Sequence, residues 1–249
     1  ALARNLRNII QAGADIEIAL SQITKERVVG SGILPFQWYK AYKALIEHGE
    51  IADHMQQAVE WSLENIKKLP GVTLVTCDNS NSMTAGSQTR GMSNRELANL
   101  MGAMALYCCE KGIAGTFGES FAFAETNPVQ GIFFNKAAID LCGQYTGHST
   151  DAWRVFERLI QDRLHVDRVF IFSDMQCYDS GSRNTSYGYA SRSLSTELEA
   201  YRQINPNVVV YSINLATQDN TCQFAPGQPV VELAGFSDSI FQFARSMEV

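Results

Sequence analysis

"VTLVTCDNSNSM", residues 72–83, carries two messages in one short stretch. Residues 72–77 form an apolar, β-branched run without polar alternation, the pattern of a strand covered on both faces. The run stops at Asp78, and Ser80 and Ser82 follow at two-residue spacing. A loop leaving a strand can curl its alternate side chains towards one point. A carboxylate and two hydroxyls gathered in this way make a candidate oxygen site for a hard cation. Each of these residues taken singly also suits an ordinary turn, so the rest of the chain has to decide.

A second buried strand, "RVFIFSD" at 168–174, ends in the same way on Asp174. Between and after the two runs, helical patterns alternate with strands, which implies a doubly wound, mostly parallel α/β sheet. In such a sheet Asp78 and Asp174 stand at the carboxyl ends of neighbouring strands, where ligands bind. Two buried carboxylates brought close resist ionising together. Something must compensate: a shared proton, a basic side chain or a cation. Neither loop carries Lys or Arg, through Met83 in one and Tyr178 in the other. The first loop instead offers the hydroxyls of Ser80 and Ser82, which with the aspartates suit a hard cation. Thr150, opening the pattern "STDAWRVFERLIQDRL", supplies a fifth oxygen as helix cap, ligand or both. The expected metal set is Asp78, Ser80, Ser82, Thr150 and Asp174. Magnesium, whose octahedral shell keeps several waters, is the first choice, with manganese or calcium on the same donors. So few charged ligands leave the ion electrophilic, and an acidic group on a partner could replace one of its waters.

Residues 1–68 read as an α-helical extension, with Leu2, Leu6, Ile9 and Ile10 and then Trp38, Tyr42 and Leu45 at helical spacing. Pro35 opens one helix and Pro70-Gly71 closes the last. From residue 69 onward the α/β pattern takes over. Ser93 and Glu96 are expected to form a capping box ahead of a helix that runs through Cys108 and Cys109. "GESFAFAE", "GIFFN", "NVVVYSINL" and "PVVELAG" read as strands, "STELEAYRQI" and "SDSIFQFARSM" as helices.

Composition excludes several classes. The chain has 249 residues, 45% of them hydrophobic and 18% charged, and no apolar run long enough to span a bilayer. Its start has no signal-peptide core and no methionine, as expected either of a piece of a longer protein or of a processed terminus. None of the six cysteines falls in a C-x-x-C pair, as expected of reduced, buried thiols in a cytoplasmic protein. Net charge is −6, yet residues 1–68 hold eight of the 20 basic and eight of the 26 acidic side chains, so the excess is on 69–249. An acidic α/β domain makes a poor nucleic-acid platform. Arg4, Arg7, Lys25, Arg27, Lys40 and Lys43 on the helices are the remaining candidates for weak RNA contacts.

Enzyme readings fare badly. A phosphoryl-aspartate enzyme needs a second acid where Ser80 stands. There is no G-x-S-x-G nucleophile turn and no glycine-rich phosphate loop. Of four histidines, only His148 falls in a site loop. The expectation is a binding protein, not an enzyme.

"DNSNSM", "GHST" and "FSDMQ" together resemble the metal-ion-dependent adhesion site of von Willebrand factor A domains. The resemblance spans about 71–249 and places Asp78, Ser80 and Ser82 in the first motif, Thr150 or its neighbour Ser149 at the threonine, and Asp174 in the second aspartate position. "ALARNLRNI" and "ILPFQWYKAY" resemble the stretch that joins the helical-repeat ring to that domain in Ro autoantigen (TROVE) proteins. It implies two regions: 1–68, the end of a TROVE helical-repeat domain, and 69–249, a von Willebrand factor A-like, Rossmann-like domain. It further implies a cytoplasmic ribonucleoprotein that binds Y-like or misfolded RNA and, in a bacterial setting, an exoribonuclease tethered through RNA. The metal face would take an acidic protein ligand, and no membrane is involved. The competing reading is an adhesion-type A module unrelated to RNA, which shares the metal site but has no use for the first 68 residues.

Overall fold

The computed structural model describes residues 2–45, 47, 49–84, 86–87, 91–177, 192–216, 224 and 227–248. The first part of the chain forms helices α1 (Leu2–Gln11), α2 (Ile16–Leu20), α3 (Lys25–Gly30), α4 (Pro35–Leu45) and α5 (Gly49–Leu63). Pro35 does open α4, where its missing N–H costs nothing. Pro70-Gly71, by contrast, does not close a helix. It lies inside strand β1 (Leu69–Asp78), at the shift between the Leu69 and Val72 pairings. Gly71 sits at φ +73 there, and a Cβ would run into the Asp167 carboxylate that accepts from Val72 N at 2.6 Å.

The remaining elements are the small hairpin β2 (Gly86–Ser87) and β3 (Met92–Ser93), α6 (Asn94–Tyr107), β4 (Cys109–Phe117), β5 (Phe121–Phe123), α7 (Gly131–Gly143), α8 (Arg154–Gln161), β6 (Arg168–Ser173), α9 (Leu194–Ile204), β7 (Val209–Asn214), β8 (Val230–Ala234) and α10 (Ser239–Met247). One six-stranded sheet runs in the order β5-β4-β1-β6-β7-β8, parallel throughout except for the antiparallel edge strand β5. This is a doubly wound, mostly parallel α/β architecture, carrying helices at its N-terminal side.

Alternation along β1 assigns the two faces. Val75 and Cys77 pack into one apolar cluster with α6, α7 and α10, while Leu74 joins α8 and α9 on the other side. The N-terminal helices belong to the first cluster: Leu20, Trp38, Tyr39, Met55 and Val59 are buried with residues of α6 and the sheet. Tyr42 meets Phe133 of α7 at 4.2 Å between ring centroids.

At the sheet's other end a buried network ties the chain's last turn to its core. The Arg168 guanidinium, 2% exposed, bonds Glu248 through Nε at 2.9 Å and Thr73 Oγ1 through Nη1 at 2.7 Å. Tyr211 donates its hydroxyl to the same Glu248 carboxylate at 2.8 Å.

Four local expectations are corrected. "GIFFN" opens helix α7, because its apolar run continues as Ile132, Asn135 and Ile139, the inward face of a helix. Cys108 ends α6 and Cys109 starts β4, a strand hidden by its polar start and its two glycines. Glu96 does not complete a capping box: Ser93 Oγ accepts from Glu96 N at 3.1 Å, but the Glu96 carboxylate takes Tyr39 OH at 3.0 Å and Lys43 Nζ at 2.8 Å instead. Helix α8 begins at Arg154, past Ser149 and Thr150, and no side chain caps it.

Candidate metal centre

Strands β1 and β6 are parallel neighbours, so their carboxyl ends deliver Asp78 and Asp174 side by side at one edge of the sheet. Both are buried, Asp78 completely. Asp78 Oδ1 accepts from Ser80 N at 2.8 Å, which turns the loop back on itself, and Oδ2 accepts from Ser173 Oγ at 2.6 Å. The turn brings Ser80 Oγ to 2.9 Å from Ser82 Oγ, so the two hydroxyls converge as their spacing implied. Asp174 Oδ1 accepts from Gln176 N at 3.2 Å. Between them Met175 adopts φ +62, an uncommon conformation for a residue with a side chain, and its N–H bonds Ser173 Oγ at 3.0 Å.

Thr150 is buried on a third loop, which is tied to the first by Asn81 N donating to His148 O at 3.0 Å. No hydrogen bond of the Thr150 side chain joins it to the other four among the described residues. Its neighbour Ser149 is 4% exposed, and its Oγ has no hydrogen-bond partner. The two thus remain alternatives for the fifth oxygen.

Asn79 and Arg95, which pattern reading passed over, hold this arrangement. Asn79 fills the variable position between Asp78 and Ser80, and its Nδ2 donates to Gly143 O at 2.5 Å and Gly147 O at 2.9 Å. Gly143 is needed there, since a Cβ would come within 2.6 Å of Asn79 Oδ1. Arg95 Nη2 reaches over from the first turn of α6 to Asn79 O at 2.8 Å and Ser80 O at 2.9 Å. The two site loops lack basic residues, but this guanidinium comes from elsewhere and attracts Asp78. His148 Nδ1 lies 3.4 Å from Asn79 O, against the backbone.

Burial pushes the Asp78 carboxyl up to about 6, and Asp174 adds to the rise, while the bonds from Ser173 and Ser80 hold it down. A carboxylate that resists ionising, two convergent hydroxyls and the unpartnered Ser149 Oγ are what a bound cation would resolve, so the residues fit one. Among the described residues no three His, Cys, Asp or Glu side chains cluster as a metal-binding group. The donors here are two carboxylates and several hydroxyls, a hard oxygen set suited to magnesium more than to zinc. Such an ion, when bound, supplies positive charge and exchangeable water sites.

The basic candidates on the helices are dispersed. Lys25 pairs with Glu64 at 2.6 Å, Lys43 with Glu96, and Arg27 bonds Gln22. Lys40 is partly buried, and the side chains of Arg4 and Arg7 lie outside those described.

Comparison with solved structures finds proteins of similar fold. The crystal structure of the Deinococcus radiodurans Ro (RSR) protein superposes with a TM-score of 0.69 at 19% identity, over 98% of this chain and 52% of that one. This chain shares that fold. It spans about half the length of the Ro (RSR) protein, and the match takes in the helices of 1–68 as well as the α/β domain. Proximal thread matrix protein 1 from the mussel byssus, in a structure whose MIDAS motif holds zinc, gives a TM-score of 0.43 at 14% identity over 80% of this chain and 51% of that one. No family model matches the sequence, and no curated protein matches it.

Proposed function

We propose that the chain is part of a Ro-like ribonucleoprotein whose α/β domain binds a divalent cation, magnesium first, and through it a partner's acidic group. The observation that carries this is the fold shared with a Ro protein across the helical segment and the α/β domain together. An adhesion-type module has no need of those helices, yet here Trp38, Tyr39 and Met55 are packed into the core of the domain. In this proposal residues 1–68 end a helical-repeat region and 69–249 form the A-like domain. The intact protein works in the cytoplasm, binding Y-like or misfolded RNA and, in a bacterial cell, meeting an exoribonuclease through that RNA.

The metal face performs no chemistry in this reading. General-base catalysis needs a group free to take a proton. A bound cation would keep Asp78 and Asp174 ionised and poorly basic, and His148 Nδ1 faces a backbone carbonyl. The function tested is therefore capture. Crosslinking the full-length protein to RNA in cells and sequencing the product should recover small structured noncoding RNAs. Recovery of no RNA, together with cation-dependent capture of an acidic peptide, would select the adhesion-type reading instead.

A further inference from the structure

The sheet stops at β5, and beyond that edge lies a groove of about 620 Å³. One wall is the run Ala122–Glu125. Ala122 and Phe123 are the last two residues of β5, and successive strand residues point to opposite faces. Lining by both sets the groove along the strand's edge, with Ala124 and Glu125 continuing it. Ala124 N bonds Ala114 O at 2.9 Å, and antiparallel alternation then directs the N–H and C=O of Phe123 away from β4, towards the open side.

The opposite wall is a second apolar stripe, Phe134, Ala137, Ala138 and Leu141 of α7, with Tyr145 just past its end. Helix α7 already buries Ile132 and Ile139 in the core, so it is apolar on two sides, which a solvated helix does not need. Among the described residues, four of the eight exposed large hydrophobics, Val129, Phe134, Leu141 and Tyr145, belong to residues 129–145. Such a concentration marks an interaction surface, whereas scattered exposed residues would not.

Charge narrows the occupant. Glu125 lines the groove, is exposed, and has no ion pair among the described residues. Arg158, whose guanidinium lies 5.2 Å from the Phe123 ring centroid, is neutralised by Asp162 at 2.6 Å. Glu125 is thus the charge the lining offers, and a basic side chain on an incoming chain would complement it.

We propose that this groove docks an extended segment of a partner protein that alternates aliphatic with Lys or Arg side chains and adds as the next strand beyond β5. Its backbone pairs with Phe123, its aliphatic side chains lie on the alanines and Leu141 of α7, and a basic side chain meets Glu125. The inference is independent of the cation site.

The probe is a blocked seven-residue peptide alternating valine with lysine, titrated by fluorescence anisotropy and by backbone amide shifts. Saturable binding is expected, with shifts confined to residues 121–125 and α7. Leu141→Asp and Phe134→Asp, at exposed positions that leave the melting temperature unchanged, should weaken it about tenfold or more. Glu125→Lys should transfer the preference to a valine–glutamate peptide. N-methylation of the peptide on the pairing edge should abolish binding, while N-methylation on the far edge should not. Absence of saturable binding, indifference to Leu141→Asp, or indifference to N-methylation would overturn the proposal. So would concentration-dependent dimerisation broken by Leu141→Asp, which would make a second copy of the chain the occupant.

Discussion

Ser173 donates its hydroxyl to Asp78 Oδ2 at 2.6 Å, from the last residue of one strand to the last residue of its parallel neighbour. With Ser80 N on Oδ1, both Asp78 oxygens are held before any ligand arrives. The carboxylate is oriented, yet its complete burial still raises its cost of ionising.

That balance sets the first prediction. Asp78→Asn keeps the shape and removes the buried charge. Calorimetry should show magnesium affinity falling more than about 100-fold, beyond the 10- to 100-fold typical of losing an outer-shell partner. The metal-free melting temperature at neutral pH should hold or rise. Unchanged magnesium affinity would remove Asp78 from the site.

The pH dependence has a definite sign. The folded-state value of about 6 lies above the ordinary 3.8, so between them the folded state holds more protons than the unfolded chain. Stability therefore falls as pH rises through that window. This contribution is fully present below about 4 and lost above about 6, and amounts to about 3 kcal/mol. Denaturant titrations in EDTA at pH 5 and pH 7.5 should show about 1.4 kcal/mol of it, the part that falls between those two values. Saturating magnesium, which favours the ionised carboxylate, should reverse the trend.

Arg95→Met should leave the fold intact, because Arg95 is only partly buried, but it frees the carbonyls of Asn79 and Ser80. Cation affinity should drop roughly tenfold, as for other residues that orient first ligands. Arg95→Lys should recover part of the loss. Equal affinities for wild type and Arg95→Met would make the guanidinium a bystander.

Glu248→Ala leaves the Arg168 guanidinium buried without its carboxylate. Breaking one side of a buried pair costs about 3–5 kcal/mol, so chemical denaturation should register a loss of that size. A loss below about 1 kcal/mol would mean that water replaces the carboxylate.

RNA binding by this chain alone should be weak, since Lys25 and Lys43 are engaged in ion pairs and the α/β domain carries the negative excess. Filter binding at physiological salt is expected to show no sub-micromolar complex with structured RNA. Purified chain with magnesium should also leave RNA uncut, and cleavage abolished by Asp174→Ala would establish an activity.

The sheet was legible because its central strands are buried on both faces and so read as continuous apolar runs ending at aspartate. The convergence of Ser80 and Ser82 was legible because a loop's alternate side chains share a direction. What escaped was set by tertiary context. Strand β4 follows its first residue, Cys109, with Glu110 and Lys111, both exposed, and contains two glycines, so its periodicity is broken where it matters. Arg95 acts on main-chain oxygens 15 and 16 residues away, a relation that no spacing rule encodes. Glu96 looked like a cap because its spacing was right, but Tyr39 and Lys43 from a distant helix outcompeted its own backbone.

Arg95 and Glu96 are consecutive, and they reach in different directions. One grips the loop of Asp78, Ser80 and Ser82, and the other grips helix α4. The opening turn of α6 is thus a shared joint, with the N-terminal helices on one arm and the loop of Asp78, Ser80 and Ser82 on the other. A tilt of those helices would drag on the carbonyls that set the serine hydroxyls, and tightening the loop around an ion would stiffen the seat of the helices in return. Any free energy passed through that joint must be equal in both directions.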